Sequence, residues 1–220
     1  VTASDILDVT GTGGVTIANV TSNAGTIQKT TSAGVITFSQ AALTNAGTIT
    51  ASAGTLTFNG DVTNSGGSAV LSLTTTGSAN FAQDLVNSGG TLTLNNSGTT
   101  VNYTGTVAQS VAAATYYTLA MSNAGVKTAA GNVTIETGGS FNNGTATTSM
   151  STFTLSGPSL SQASGGTMQF AGETNGVVFS AGTVDYNGLN SITQTITAGT
   201  YATLTLTNGS TCQLMSYDQD

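Results

Sequence analysis

The chain has very few charged side chains, and the kinds that it lacks exclude several classes of function. It has no histidine and no arginine, and its only cations are Lys29 and Lys127. Phosphate backbones are bound by clustered Lys and Arg, so nucleic acid is excluded as a partner. Without histidine, neither a Ser-His-Asp nor a Cys-His catalytic arrangement can form. A zinc site would have one thiol and no imidazole, which excludes structural zinc.

Cysteine, proline and long apolar runs are also scarce. Cys212 is the only cysteine, so no internal disulfide can form; we expect a small, semi-buried thiol, with pairing between chains as the alternative. No apolar run approaches the length of about 18 residues that a membrane helix requires, which predicts no membrane insertion. The chain begins at Val1 rather than at Met, which favours a processed or excised mature segment.

What is present favours short β-strands rather than disorder. Charged residues make up 5% of the chain, against about 25% in ordinary soluble proteins. Disordered chains are usually charged and poor in β-branched residues, whereas Thr, Val and Ile are abundant here between Gly, Asn and Ser. This composition is typical of many short strands joined by turns.

A short phrase returns along the first half of the chain. It occurs as Asn23-Ala24-Gly25-Thr26-Ile27, Asn45-Ala46-Gly47-Thr48-Ile49, Asn64-Ser65-Gly66 and Asn87-Ser88-Gly89-Gly90-Thr91-Leu92. The first glycines of these copies are 22, 19 and 23 residues apart, about the length of one coil of a β-solenoid. We therefore predict an all-β solenoid of about ten coils with two or three short strands per coil, in which Asn and Gly form sharp corners through positive φ.

Apolar residues alternate with small or polar ones in many places, which predicts strands with one buried face. The predicted inward pairs are Ile36/Phe38, Leu56/Phe58, Leu71/Leu73, Leu92/Leu94, Val101/Tyr103, Val133/Ile135, Phe153/Leu155, Met168/Phe170, Val177/Phe179, Val184/Tyr186 and Leu204/Leu206. The best helix candidate, Val107 to Tyr117, lies between strand patterns and is too short to be stable alone.

A longer repeat occupies the second half. Gly98 to Gly105 matches Gly182 to Gly188, and each copy is followed by a glutamine and then a Thr-Tyr pair. The glutamines, Gln109 and Gln194, are 85 residues apart, and the matching tyrosines Tyr103 and Tyr186 are 83 apart. We interpret this as a duplicated module of about 84 residues, with coils carrying the N-x-G phrase in 1–97 and two longer solenoid modules, continuous with them, in 98–220.

These motifs resemble repeats of large secreted bacterial surface proteins. Residues 15 to 97 are similar to haemagglutinin-type adhesin repeats, in which N-x-G-x-[IL] turns precede short Thr-rich strands. Residues 98 to 210 resemble a G-x-V-x-Y-x-G, Gln, Tyr-x-x-Leu repeat of giant adhesins and autotransporter-like proteins. The resemblance implies a right-handed parallel β-helix with about 19–23 residues per coil, placed extracellularly or at the cell surface as an adhesin, filament or coat.

Carboxylates are the only plausible catalytic groups. Asp185 with Glu173, and Asp61 with Asp84, are spaced so that they could serve as the paired acids of glycoside cleavage. The second pair is 23 residues apart and would stack on adjacent coils. No arginine, histidine or aromatic cluster accompanies them, so we interpret them as solvated turn or surface residues, and we predict that the chain is not an enzyme and has no catalytic site.

Three other features are candidates for sites or modifications. Asp5 with Asp8, and Asp218 with Asp220, are candidate Ca²⁺ ligands, but no EF-hand-like or G-G-x-G-x-D loop accompanies them. The two lysines are candidates for a Lys–Asn crosslink, with solvated lysines as the favoured interpretation. Glycosylation sequons begin at Asn19, Asn95, Asn102, Asn132, Asn143 and Asn208. We predict no cofactor and no metal.

The sequence thus favours a structural protein whose partners are copies of itself. Sparse charge does little to keep rods apart, and residues Val1 to Val9 and Thr203 to Asp220 are interpreted as uncapped strands that pair with neighbouring subunits. The alternatives are a carbohydrate-binding adhesin or ice-binding solenoid module, with surface glycans as partners, and a carbohydrate-active enzyme. Thr-x-Thr triplets such as Thr55-Leu56-Thr57 suit an ice binder, but their uneven spacing shows no flat array.

Overall fold

The chain folds as a parallel β-solenoid. The structure is a computed structural model, and it describes residues 1–31, 33–172, 179–188, 193–196, 199–207 and 211–214. The described residues form no helix, and their strands pair in parallel from one coil to the next over about nine turns. The predicted all-β solenoid is therefore confirmed.

The first five coils each carry three strands, which supports the predicted two or three per coil. In chain order they are β1 (Ile6–Asp8), β2 (Val15–Ile17), β3 (Ser22–Asn23), β4 (Thr26–Lys29), β5 (Val35–Phe38), β6 (Ala42–Asn45), β7 (Thr48–Ala51), β8 (Thr55–Phe58), β9 (Asp61–Ser65), β10 (Val70–Leu73), β11 (Ser78–Phe81), β12 (Leu85–Ser88), β13 (Thr91–Thr93), β14 (Thr100–Tyr103) and β15 (Gln109–Val111).

Two longer strands mark the sixth and seventh coils. The remaining strands are β16 (Ala114–Met121), β17 (Val126–Ala129), β18 (Val133–Asn142), β19 (Thr147–Ser149), β20 (Leu155–Ser156), β21 (Leu160–Ser161), β22 (Thr167–Phe170), β23 (Thr183–Tyr186), β24 (Thr193–Ile196), β25 (Thr203–Leu206) and β26 (Thr211–Leu214). The segment from Val107 to Tyr117, a helix candidate that is too short to be stable alone, forms β15 and the start of β16.

The strands stack into faces that run along the rod. Face A is the sheet β1-β4-β7-β10-β13, and face C is the sheet β3-β6-β9-β12. Face B contains β2-β5-β8-β11-β14-β16-β18-β20, with β21 also on β18, and face D contains β15-β17-β19-β22-β23-β25. The pair β24–β26 completes the described sheets. Face B runs past Ser97 without a break, since β14 pairs with β11 before it and with β16 after it.

The register places like residues above one another inside the rod. Ile27, Ile49, Leu71 and Leu92 occupy one column of face A. Because corners of different length separate the strands, the irregular 19-to-23-residue spacing leaves this register intact. Each column buries apolar surface that a single coil would leave exposed, so neighbouring coils stabilise one another.

An aromatic column fills the inner side of face B. The rings of Phe38 and Phe58 stack with centroids 4.7 Å apart, those of Phe58 and Phe81 at 5.0 Å, and those of Phe81 and Tyr103 at 5.6 Å. In the first two pairs the ring planes are nearly parallel, with interplanar angles of 8° and 6°. Successive strands therefore twist little relative to one another in this part of the face.

Most of the predicted inward residues are buried. Phe58, Leu73 and Leu94 are no more than 1% exposed, and Phe153 is half-buried outside a strand. Leu206 is 52% exposed, so its predicted burial is wrong. It lies on β25, the end strand of face D, which pairs with one described strand, β23. Phe179 is buried, and its predicted partner Val177 lies outside the described residues.

Replacing Phe58 by alanine tests the aromatic column. Phe58 stacks on rings above and below it, so Phe58→Ala leaves a cavity with neighbours on both sides. We expect the free energy of unfolding to fall by about 3–5 kcal/mol. Thr57→Ala, one residue away on the outer side, is the control and should change stability by less than about 1 kcal/mol. Urea unfolding followed by circular dichroism measures both, and equal losses would contradict the inward assignment.

Candidate functional site

The repeated asparagines form a buried ladder inside the rod. Asn23, Asn45 and Asn64 are completely buried, and their side-chain Nδ2 groups each donate to the Oδ1 of the asparagine on the next coil. The distances are 2.9 Å from Asn23 to Asn45, 2.8 Å from Asn45 to Asn64 and 3.0 Å from Asn64 to Asn87. The ladder therefore ties coils one to four together through side chains as well as through backbone.

The amides of Asn23, Asn45 and Asn64 also bind backbone of the next coil, and that of Asn87 binds the carbonyl of Gly90 in its own coil. Asn45 Nδ2 donates to the carbonyl of Val70 at 2.9 Å, and Asn64 Nδ2 donates to that of Thr91 at 3.1 Å. Val70 and Thr91 are the first residues of β10 and β13, so each amide adds a side-chain bond, worth about 0.5–1.5 kcal/mol, at the start of a face A strand. The N-x-G phrase is thus a device for stacking coils.

The predicted role of these asparagines in positive-φ turns is wrong. All four end or nearly end a strand of face C and point toward the interior or its rim. The glycine of the phrase serves two purposes. Gly66 and Gly89 adopt positive φ, at 94° and 88°. At Gly47 a Cβ would lie 2.1 Å from the carbonyl oxygen of Gly25, so here the absence of a side chain permits close approach of the coils.

Two matching glutamines secure the corners in the second half. Gln109 Nε2 donates to the carbonyls of Phe81 and Gln83, at 2.8 Å and 2.6 Å, and its Oε1 accepts from the Gly105 N–H at 3.0 Å. Gln194 repeats this arrangement with the carbonyls of Phe170 and Gly172 and the N–H of Gly188. In both copies of the duplicated motif the glutamine therefore makes three hydrogen bonds to backbone groups, an arrangement that we call a glutamine clamp.

The tyrosines of the duplicated motif form buried pairs. The hydroxyl oxygens of Tyr103 and Tyr116 lie 3.3 Å apart, and between them they bind both backbone groups of Ala112, the N–H at 3.0 Å and the carbonyl at 2.7 Å. Burial raises the pKa of Tyr103 to about 12 and that of Tyr116 well above its ordinary value. Burial, with the Tyr186 side chain as a smaller cause, also raises the pKa of Tyr201.

Both lysines are buried, which contradicts the expectation of solvated lysines. Lys29 and Lys127 are 0% exposed. The ammonium of Lys29 donates to the carbonyl of Thr31, and that of Lys127 to the carbonyl of Gly105. Burial lowers the pKa of Lys127 from its ordinary value. Lys127 takes the position next to Gln109 in face D, so the two side chains hold opposite ends of Gly105.

Asp61 and Asp84 stack on adjacent coils, as their spacing predicted. The Oδ1 of Asp61 accepts from the N–H of Asp84 at 3.2 Å, and the Oδ1 of Asp84 accepts from the N–H of Ser110 at 2.7 Å. Each carboxylate thus binds the backbone of the coil above it. Asp61 is exposed and Asp84 half-buried. Asp84 thus lies between two strands, as the interpretation as a turn or surface residue expects, but its carboxylate is bound to backbone.

Asp185 is buried rather than solvated. It is 7% exposed, and its carboxylate accepts from Gln169 Nε2 at 3.2 Å and from Thr207 Oγ1 at 2.9 Å. Both donors belong to neighbouring coils, so Asp185 bridges three coils on face D. Its candidate partner Glu173 lies outside the described residues. The described residues thus place Asp185 in a structural network.

The candidate calcium ligands at the start of the chain bind nearby threonines. The Asp5 carboxylate accepts from the N–H and the hydroxyl of Thr2, and these bonds lower the pKa of Asp5. Asp8 accepts from Thr30 Oγ1 at 2.8 Å. Asp218 and Asp220 lie outside the described residues. Among the residues that the structure does describe, no group of three or more Cys, Asp or Glu side chains is close enough to hold a metal ion.

The glycosylation sequons differ in how exposed their asparagines are, and the structure describes the backbone of the cysteine. Asn143 is completely buried and bonded to Gln162 and to backbone, which leaves no room for a glycan in the folded chain. Asn19 and Asn132 are exposed, and Asn95 and Asn102 are half-buried. Asn208 lies outside the described residues. The backbone of Cys212 pairs with that of Gln194; the position of its thiol lies outside the description.

A shallow groove marks the place where face C ends and face D begins. It has a volume of about 210 Å³ and is lined by Leu85, Val86, Asn87, Ser110, Ala112, Ala113 and Ala130. Its lining contains neither a carboxylate nor a cation. The chemistry that its lining offers is therefore limited to hydrogen bonding and apolar contact.

Comparison with known proteins gives no match. No protein-family model matches the chain, and no curated protein or solved structure is significantly similar to it. The resemblance to adhesin repeats therefore stays a prediction. No described segment is a helix long and apolar enough to cross a membrane.

The sequence analysis missed the asparagine ladder, the glutamine clamps and the buried lysines. A signal for the ladder was present, since Leu43-x-Asn45, Val62-x-Asn64 and Leu85-x-Asn87 follow the same alternation that predicts inward residues. Applied to polar residues, that alternation places each asparagine on the inner side. The same alternation places Lys29 on the inner side, through Ile27-x-Lys29, whereas no large apolar residue stands two positions from Lys127. The distinctive polar side chains of the described residues thus serve mainly to bond one coil to the next.

Replacing a ladder asparagine by aspartate tests the amide role. Asn45→Asp removes two donated hydrogen bonds and places a carboxylate against the carbonyl of Val70 and the Oδ1 of Asn64. Burial raises the pKa of the new carboxyl above about 3.9, so the variant's loss of stability should grow as the pH rises through that pKa. We expect a loss of about 3 kcal/mol or more at pH 7 and a clearly smaller one at pH 3.5.

The matched control is Asn87→Asp at the exposed end of the ladder. Solvent reaches this side chain, so the loss at pH 7 should be about 1 kcal/mol. Chemical unfolding of both variants and of the unmodified chain at the two pH values gives the comparison. Equal losses at Asn45 and Asn87, or no dependence on pH, would contradict a buried amide ladder.

The buried tyrosine pair predicts a loss of stability in alkali. The raised pKa means that the folded chain holds the Tyr103 proton more tightly than the unfolded chain does. The resulting stability is complete below pH 10 and is lost as the pH rises through about 12. Tyr103→Phe lacks this group, so the stability difference between the two chains should fall by about 2 kcal/mol between pH 9 and pH 12. Lys127 titrates in both chains, and its opposite effect cancels in the difference. A difference that stays constant would contradict burial of the phenol.

Proposed function

We propose that this chain is a structural subunit of an extracellular filament, sheath or surface coat, which associates with copies of itself through strand edges and coil ends. One observation carries the proposal: the distinctive polar groups of the described residues are engaged in coil-to-coil bonds, which makes the molecule a rod. Solenoid stability is a sum of contacts between neighbouring coils. A rod of this kind suits a mechanical role better than a chemical one.

The edges of the faces support self-association. Strands β1, β2 and β3 begin faces A, B and C, and each pairs with a single described strand. An edge strand offers unpaired backbone N–H and carbonyl groups to another chain. Ile6 on β1 is 70% exposed, so apolar burial would accompany pairing at that edge.

The charge distribution limits how copies can meet. The formal net charge is −7, and the two lysines are completely buried. No described side chain therefore offers an exposed cation to a carboxylate of a neighbouring copy. Contacts between copies must rely on backbone hydrogen bonds and apolar burial, away from the carboxylates.

A glycan-binding or ice-binding module is the second candidate, and one observation favours it. The register of face B places Thr55, Ser78, Thr100, Thr118 and Ser140 in a single outward column. Of the Thr-x-Thr triplets, Thr55-Leu56-Thr57 is on this face, while those in β7 and β13 are on face A. The column of single Thr and Ser side chains, rather than the triplets, is what supports an ordered hydroxyl array. Thermal hysteresis, or retention on a neutral polysaccharide by a chain that stays monomeric, would favour this candidate.

Assembly by uncharged contacts should be nearly independent of salt. Screening acts on charges, and few are present, so the assembled mass should change by less than about twofold between 20 mM and 500 mM NaCl. Excess EDTA should leave assemblies intact. Negative-stain microscopy and light scattering of the purified chain measure both. A chain that remains monomeric at high concentration would contradict the proposed function, as would fibres that dissolve at moderate ionic strength.

A further inference from the structure

We propose that the outer surface of face B is the lateral contact between copies of this chain, so that two rods pack face to face through it. This inference rests on the proposed function and deepens it. The proposed edge contacts lengthen an assembly, whereas this face would thicken it. Three properties of the face carry the inference: its flatness, its lack of charge and its extent.

Face B is flat where its aromatic column lies behind it. The rings of Phe38, Phe58 and Phe81 stack with interplanar angles of 8° and 6°. Rings fixed to successive strands remain parallel only if the strands rotate little relative to one another, whereas sheets ordinarily twist by about 20–25° per strand. The rings of Phe81 and Tyr103, one strand further, are inclined by 28°, so the flat part of the face comprises β5, β8 and β11. This part can contact a second flat sheet, as in the dry interfaces of stacked sheets.

The outward positions of this face are uncharged. One column contains Val35, Thr55, Ser78, Thr100, Thr118 and Ser140, and the other contains Thr37, Thr57, Asn80, Asn102, Ala120 and Asn142. Carboxylates are found at strand positions of the other faces, with Asp8 on face A, Asp61 on face C and Asp185 on face D. Glu136 is in the bulge of β18, outside these two columns.

Electrostatics therefore selects this face. Two copies that each carry excess negative charge repel, and neither has an exposed cation among its described residues. Contact through the two outward columns of face B keeps the carboxylates of the two copies apart, whereas contact over the whole of face A or face C brings the exposed Asp8 or Asp61 toward the other copy. A long neutral face is the surface on which close approach costs least.

The side chains of this face are already partly ordered within one rod. Thr55 Oγ1 and Ser78 Oγ lie 2.8 Å apart, and Asn102 Nδ2 donates to Asn80 Oδ1 at 2.8 Å. Side chains held by such bonds lose less rotamer freedom on association. Hydroxyl and amide groups also supply both donors and acceptors, so the face is complementary to a second copy of itself.

The extent of the face sets the strength of the contact. Its main path has eight strands, which at about 4.8 Å per strand and about 13 Å per strand length gives roughly 500 Å² per copy. The pair would bury about 1,000 Å², at the lower limit for specific interfaces. A single contact is therefore weak, and lateral packing should become persistent when many contacts act together along assembled rods.

Charge placed on the face tests the inference. The variant Thr37→Glu with Thr100→Glu adds two carboxylates to face B at half-buried outward positions. The control, Thr50→Glu with Thr93→Glu, makes the same change of net charge on face A. We expect the face B variant to need at least tenfold more protein for lateral association, and the control to behave as the unmodified chain does. Sedimentation velocity and the width of negatively stained assemblies report association, and circular dichroism reports folding.

Mixing face B variants of opposite charge tests whether face B of one copy contacts face B of another. Thr37→Lys with Thr100→Lys should also fail to associate alone, but a mixture with the glutamate variant should associate at low salt. If the face B and control variants lose association equally, or if the mixture does not recover, the lateral contact is overturned. Filaments of unchanged width from the face B variant would likewise overturn it while leaving the proposed function intact. A wild-type chain that stays monomeric and binds a neutral polysaccharide would overturn both.

Discussion

Every buried corner of this rod must satisfy the hydrogen bonds of a turning backbone, and the rest of the structure depends on how that is done. Strand ladders pair the backbone along the faces, but a corner breaks the ladder. In the first coils the Asn23–Asn87 ladder supplies amide donors and acceptors at the corner. A carboxamide suits this task because it both donates and accepts without introducing charge. Stacked amides therefore permit a tightly wound coil whose interior excludes water.

The second half of the rod meets the same requirement with other residues. Gln109 and Gln194 each bind three backbone groups, and Lys127 reaches the carbonyl of the same Gly105 whose N–H binds Gln109. The tyrosine pair adds two bonds to Ala112. The two halves thus differ in sequence motif but share one physical solution, which is to bury a polar side chain where the backbone lacks a partner. This use of the polar residues in the interior leaves the two outward columns of face B uncharged and rich in hydroxyl groups.

The outer surface decides what such a rod can do. The carboxylates of Asp61 and Asp84 bind backbone of the next coil, and Asp185 bridges coils from a buried position. The face with the longest run of strands has no charge in its two outward columns, and behind it the aromatic rings hold successive strands nearly parallel. Stability and surface are therefore linked, because the same column that fills the core also flattens the face that a partner would meet.

The sequence by itself determined the class of fold and the inward apolar residues. Its alternation places Phe58 and Leu73 inside, and its repeat length corresponds to one coil, because both depend on local geometry that the chain repeats. Only the tertiary structure decided which residues stack. The register between coils aligns the ladder asparagines and brings Gln109 beside Lys127. Because the corners differ in length, this register cannot be derived from residue spacing in the sequence. Burial of Lys127 was likewise beyond the sequence, because its stabilising partner is a backbone carbonyl, which residue types do not indicate. For Lys29 the alternation Ile27-x-Lys29 indicates the inward position, but not the backbone carbonyl that it binds.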